Sequence, residues 1–189
     1  MINAKECFMR SMSAVQLGLF ILAFSFSTYA STKNYPCSGA SGTYRTNPDS
    51  TVGGFVASTA TVDSTVFLDV EASVCERATV IESAKIMGRA EVSGRATVRG
   101  KVVIKDKARV YGEAYIINPN GTDLLVEDEA KIYGHAFLQG SVIVGDSSEI
   151  FGWGKVLDYA QVLGYSKICG NNFVREFAII TDDQTKCVQ

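Results

Sequence analysis

The chain has a single histidine, His135, among its 189 residues. A zinc site built on three histidines is therefore excluded, and an imidazole general base has one candidate. Basic residues do not outnumber acidic ones: 18 Lys and Arg stand against 20 Asp and Glu, a net charge of −2. No basic surface for nucleic acid is indicated. The apolar run from Ala14 to Phe26 is shorter than the roughly 20 residues of a membrane helix. It follows Lys5 and Arg10 and is closed by Thr28-Tyr29-Ala30, a small-residue cleavage site before Ser31. That order predicts a secretory signal peptide over residues 1–30, with Met9 as an alternative start and an uncleaved anchor as the competing reading. A Leu-x-x-Cys arrangement is missing at the cleavage point, so a lipid anchor is not expected. Losing residues 1–30 removes Lys5, Arg10 and Glu6, which leaves 16 basic and 19 acidic residues and a net charge of −3. Four cysteines remain, an even number in an exported chain, which favours disulfides.

Also missing is the 3.6-residue period of an amphipathic helix. A period of six runs from 54 to 183 instead, each unit reading small, any, aliphatic, then three turn-prone residues. Examples are Ala60-Thr61-Val62, Ala72-Ser73-Val74 and Ala78-Thr79-Val80. Eleven units precede a four-residue insertion and ten follow it, and the third position is Val, Ile or Leu in all twenty-one. Six is a multiple of two, so positions one and three face the same side of an extended strand. Position five is Gly, Asp or Asn in fifteen units, types that tolerate left-handed backbone angles, so a corner follows each strand. The expected fold is all-β: a solenoid of short strands with Val and Ile stacked inside. Residues 31–53 lack the period and read as an N-terminal cap over an otherwise open strand edge. Residues 118–123 form an inserted loop that includes the sequon Asn120-Gly121-Thr122, and 184–189 form a short tail.

The pattern resembles the hexapeptide-repeat, left-handed β-helix superfamily, in which an aliphatic residue precedes a small one by four positions. Here that is Val92 to Ala96, Ile132 to Ala136 and Val162 to Ser166. The resemblance implies a single-stranded left-handed parallel β-helix with three units per triangular coil of eighteen residues, hence about seven coils. It does not choose among the superfamily's acyltransferases, nucleotide-sugar enzymes and plain scaffolds. The single histidine excludes its γ-class carbonic anhydrases. On the eighteen-residue coil, Cys187 lies directly above Cys169, within reach of a disulfide. Cys75 shares that column but lies five coils below Cys169, roughly 24 Å away at the ordinary strand spacing. The favoured pairing is Cys37–Cys75 with Cys169–Cys187, and four free thiols are the alternative.

Successive coils stack equivalent positions into columns. Glu91, Arg109, Lys131, Glu149 and Lys167 form one column, read as a charge ladder of cross-strand pairs. Glu127, Asp128, Glu129 and Asp146 suit Ca²⁺ by type, but Lys105 and Lys107 one coil below supply partners, so no metal is expected. Thr61, Thr79 and Thr97 stack as well, yet without a parallel threonine column an ice-binding array is disfavoured. His135 has Glu113 below it and Trp153 above. Outward aromatics recur over several coils: Tyr111, Tyr133 and Phe151 in one column, Tyr115, Phe137 and Phe173 in another.

Two functional readings follow. The first is a secreted or periplasmic scaffold or binding protein, without cofactor. Tyr111, Tyr115, Tyr133, Phe137, Phe151, Trp153 and Phe173 would contact a glycan, an envelope protein, or other subunits of a homotrimer such as the superfamily often forms. The second, implied mainly by the resemblance, is an acyl- or acetyltransferase acting on a saccharide. It would use an acyl-CoA-type donor, His135 as general base and Glu113 as its orienter.

Overall fold

The computed structural model describes residues 36–119 and 122–188. The expected signal peptide and Asn120 of the sequon lie outside the described residues. The described chain is all-β apart from one short 3₁₀ turn at Pro36–Gly39. In most repeat units positions two and three make the strand and positions five and six the turn, as in Ser73–Val74 followed by Glu76 and Arg77, while in others, such as Thr97–Gly100, the strand runs on to position five. Three parallel sheets result, of nine, seven and seven strands, because each strand pairs with the strand three places on. The chain is thus a parallel β-helix of about seven triangular coils. Its first face starts at Val52–Ala57, its second at Thr61–Val62 and its third at Phe67–Leu68.

Register follows the repeat. Thr79 pairs with Thr61 and Thr97, and Ile143 pairs with Leu125. Across the insertion the offset grows by four, so that Val103 meets Leu125 and Tyr115 meets Phe137. The inserted loop therefore leaves the stack without shifting it. Asn118 at its root is fully buried, and its amide donates to the carbonyls of Lys101 and Thr122 at 3.1 and 2.6 Å.

Every third-position side chain from Leu68 to Ile180 is buried, with at most 4% of its surface exposed. Each contributes about 1.5–3 kcal/mol when fully buried. First-position alanines such as Ala72, Ala78, Ala84 and Ala90 fill the corners beside them. The corner itself is a tight turn: the Ala72 N–H donates back to the Asp69 carbonyl at 3.0 Å, and Ala78 repeats this with Cys75 at 3.2 Å. From Glu76 onward, every fifth position except Asn118 has a positive φ. At the corner between the first and second faces that position is Gly94, Gly112, Gly134, Gly152 and Gly170. A Cβ on Gly94 would sit 2.6 Å from the Gly112 nitrogen, so glycine is favoured there, although Glu76 holds the same position one coil below. At the corner between the third and first faces, aspartates take over and serve the backbone. Asp128 Oδ2 accepts from the Asp146 N–H at 3.0 Å, and Asp146 Oδ2 from Gly164 N–H at 2.8 Å.

The expected cap contains a strand that no periodicity announced. Strand β1 (Gly42–Thr46) runs antiparallel along β2 (Val52–Ala57) and covers the lower edge of the first face. Side chains do the same for the other faces. Arg45 donates to the Asp63 carbonyl at 2.9 Å. Buried Asn47 donates to the Leu68 carbonyl at 2.8 Å and accepts from the Leu68 N–H at 2.9 Å. Both favoured disulfides are present: Cys37–Cys75, with Cα atoms 5.2 Å apart, and Cys169–Cys187, with 4.6 Å.

Candidate functional site

Three successive coils place rings on both sides of the corner between the first and second faces. Their sequences are Tyr111-Gly-Glu113-Ala-Tyr115, Tyr133-Gly-His135-Ala-Phe137 and Phe151-Gly-Trp153-Gly-Lys155. The glycine turns the corner and the small residue points inward, so positions four, six and two point out. Eighteen- or twenty-two-residue register then stacks like on like. Tyr111 and Tyr133 lie 4.9 Å apart centre to centre, and Tyr133 and Phe151 5.0 Å. Tyr115 stacks on Phe137 at 5.8 Å, and His135 on Trp153 at 4.2 Å. Interplanar angles of 13° or less mean that the rings cover one another's faces. Tyr111, Tyr133, Phe137 and Phe151 are half-buried, and they offer edges rather than an open platform.

Burial acts on the phenols. Tyr133 is pushed up to about 12, first by desolvation and then by its hydrogen bond to Glu149 at 3.0 Å. Tyr111 is raised as well, mainly by burial. Glu149 also holds Lys131 at 3.6 Å and Lys167 at 4.0 Å. The alternating ladder read from the sequence breaks lower down, where Arg109 and Lys131 are direct neighbours of like charge.

The structure brings His135, Glu113 and Trp153 together. Glu113 Oε2 lies 3.3 Å from His135 Nδ1, and its other oxygen lies 3.7 Å from Arg95. A groove of about 520 Å³ runs down the same corner past Arg77 and Arg95, over Gly94 and Gly112, to Glu113. The carboxylates weighed for Ca²⁺ have partners. Glu127 pairs with Lys105 at 2.7 Å and Glu129 with Lys107 at 2.8 Å, which holds the Glu129 carboxyl below its usual range. Among the described residues no group of three or more His, Cys, Asp or Glu is placed to hold a metal ion.

Exposed large apolar side chains occur at the lower end, in Tyr44, Val52 and Val70, and in greater number on the upper coils. Trp153 and Phe173 are 56% and 57% exposed, as part of the expected set. Tyr159, Tyr165, Phe177 and Ile179 join them at 56–78%. Three of these four occupy turn position six, where the repeat demands no residue type. A large apolar group there was the available signal. Tyr159 and Phe177 stack on one another at 5.2 Å.

No family model matches the chain, and no curated protein or solved structure matches it either. Its likeness to hexapeptide-repeat proteins rests on the residues of the repeat and the parallel β-helix they build.

Proposed function

We propose that the protein is an exported, non-catalytic β-helix scaffold that assembles as a homotrimer through the aromatic surface of its upper coils. One observation carries this reading. Tyr159, Phe173, Phe177 and Ile179 are all more than half exposed and lie on and beside the corner between the second and third faces, while Trp153 and Tyr165 stand exposed at the other two corners. Adjacent exposed apolar side chains of this size mark an interaction surface. Export is supported by the leader-like N-terminus and by two disulfides, which persist in oxidising compartments. Among the described residues no helix is long and apolar enough to cross a membrane. An envelope protein or glycan is the other occupant this surface would suit. The test is mass in solution without reductant, by light scattering, for the wild type and for Phe173→Glu/Ile179→Glu. A trimer that the double variant dissolves supports the reading, and a wild-type monomer refutes it.

A second reading is favoured by the 3.3 Å contact between Glu113 and His135. A carboxylate on Nδ1 leaves Nε2 as the base, the arrangement an acyl- or acetyltransferase uses to deprotonate a saccharide hydroxyl. An acyl-CoA-type donor would supply the activated thioester, and Arg77 and Arg95 in the adjoining groove suit its phosphates. Assaying acetyl transfer to saccharides separates the readings: His135→Ala must abolish any activity found, and retained activity removes His135 from the chemistry.

A further inference from the structure

The Tyr111–Tyr133–Phe151 stack ends abruptly at its lower rung. One coil below Tyr111 the same place belongs to Ser93, since Val92 pairs with Val110. The lower face of the Tyr111 ring therefore has no ring beneath it. Glu91, Ser93, Arg109, Tyr111 and Lys131 line a recess of about 370 Å³ at that spot, within the roughly 300–1,000 Å³ typical of small-ligand sites. A second recess of about 350 Å³ shares Arg109 and Lys131 and continues to Arg89, Lys107 and Glu129 at the neighbouring corner. The two make one trough across the first face, with four cations in a chain whose net charge is −2.

These cations are not equivalent. Arg89 is held by Glu71 at 3.3 Å, Lys107 by Glu129 at 2.8 Å and Lys131 by Glu149 at 3.6 Å. Arg109 makes no ion pair within 4 Å of any described residue; its strand neighbours are Glu91 below and Lys131 above, the latter of like charge. Directly opposed like charges are unfavourable, and an anion lying between them removes the penalty. The guanidinium fork matches a planar carboxylate in bidentate fashion. Beside it is the half-buried Tyr111 ring, whose lower face has no ring beneath it. The floor is polar, with the Glu91 carboxylate and Ser93 hydroxyl able to bond hydroxyl groups.

We propose that this trough binds an acidic saccharide. The sugar ring takes the place of the missing rung beneath Tyr111, its hydroxyls bond Glu91 and Ser93, and its anionic group bridges Arg109 and Lys131. A second acidic residue of the same oligosaccharide reaches Arg89 and Lys107. An aromatic acid fits less well because it leaves Glu91 and Ser93 unpaired. Nucleic acid fits less well because its phosphodiesters offer no hydroxyl group to Glu91 and Ser93.

The test is calorimetric titration of the whole protein with trigalacturonate, a heparin-derived tetrasaccharide and neutral maltotetraose. One acidic probe binding, more weakly at high salt, with maltotetraose silent, is the expected result. Which acidic probe binds tells carboxylate from sulfate recognition. Arg109→Gln should weaken binding at least tenfold, and Lys85→Gln, on another face, should not change it. Ser93→Tyr adds the missing rung, so it should abolish binding while leaving thermal stability intact. Light scattering on Ser93→Tyr reads assembly separately, and an unchanged mass shows that the trimer does not depend on this trough. Absence of binding by both acidic probes overturns the proposal. So does equal binding of maltotetraose, or wild-type affinity in Arg109→Gln or Ser93→Tyr.

Discussion

The two ends of the β-helix solve the same problem differently. A parallel stack leaves unpaired N–H and C=O groups at each end. At the lower end β1 adds an antiparallel strand, Arg45 and Asn47 mimic backbone on the other two faces, and Cys37–Cys75 ties the segment down. At the upper end the Thr185–Val188 strand covers only the first face, clasped by Cys169–Cys187. Asn172 supports it by donating to the carbonyls of Cys169 and Lys186. Among the described residues the strands Phe173–Val174 and Ile179–Ile180 have no strand above them. Their outward side chains, Phe173 and Ile179, are among the most exposed apolar groups. The lower end is closed by specific polar side chains, whereas at the upper end two of the three faces end without a covering strand among the described residues.

Breaking the disulfides gives the largest effects and sharpens the contrast. Cys37–Cys75 closes a loop of 38 residues and Cys169–Cys187 one of 18. On the loop-entropy scale their loss costs about 4 and about 3 kcal/mol. Urea unfolding of Cys37→Ser/Cys75→Ser and Cys169→Ser/Cys187→Ser should rank them in that order. Asn47→Ala strands a buried N–H and C=O at the lower end, a loss of about 2–3 kcal/mol. Asn172→Ala, in a more exposed place, should cost under about 1.5 kcal/mol. Equal losses at the two ends would erase the distinction between a closed and an open terminus.

Tyr133→Phe, in the middle of the stack, should cost about 1 kcal/mol through its lost hydrogen bond to Glu149. The same residue sets an alkaline limit. Its folded-state value of about 12 stands above the ordinary 10, so the fold favours the neutral phenol. That stability is fully present below pH 10 and is lost as pH rises from 10 towards 12. Tyrosinate absorbance should show late-titrating phenols in the wild type, the latest of which Tyr133→Phe lacks. The smallest effect on stability belongs to Phe173→Glu/Ile179→Glu, within about 0.5 kcal/mol for exposed sites, although it should change the assembly most.

Much of this architecture was legible because a period of six constrains so much. Val, Ile or Leu at every third position fixes which side is buried, and the eighteen-residue coil fixes the register. The register places Cys187 on Cys169, Trp153 over His135 and Tyr133 over Tyr111. What escaped was whatever the period does not govern. Strand β1 pairs only once, so nothing in Gly42–Thr46 repeats. Glu76, Glu82 and Glu176 adopt positive φ, which their residue type does not announce. The stacked corner imposes it, with the Thr59 and Thr65 hydroxyls donating to the Glu76 and Glu82 carbonyls. The charged column is where the sequence places it, but Arg109 and Lys131 are neighbours in it, a like-charge step within a ladder otherwise of opposite charges. Tyr159, Tyr165 and Phe177 fell in turns, where composition alone separates a partner surface from an ordinary corner.

The most direct test of the account is the mass of the purified protein in non-reducing buffer, measured by light scattering over a range of concentrations. A trimer in the wild type and a folded monomer in Phe173→Glu/Ile179→Glu is the predicted result. A wild-type protein that stays monomeric at every concentration would contradict the claim that its upper coils are an assembly surface.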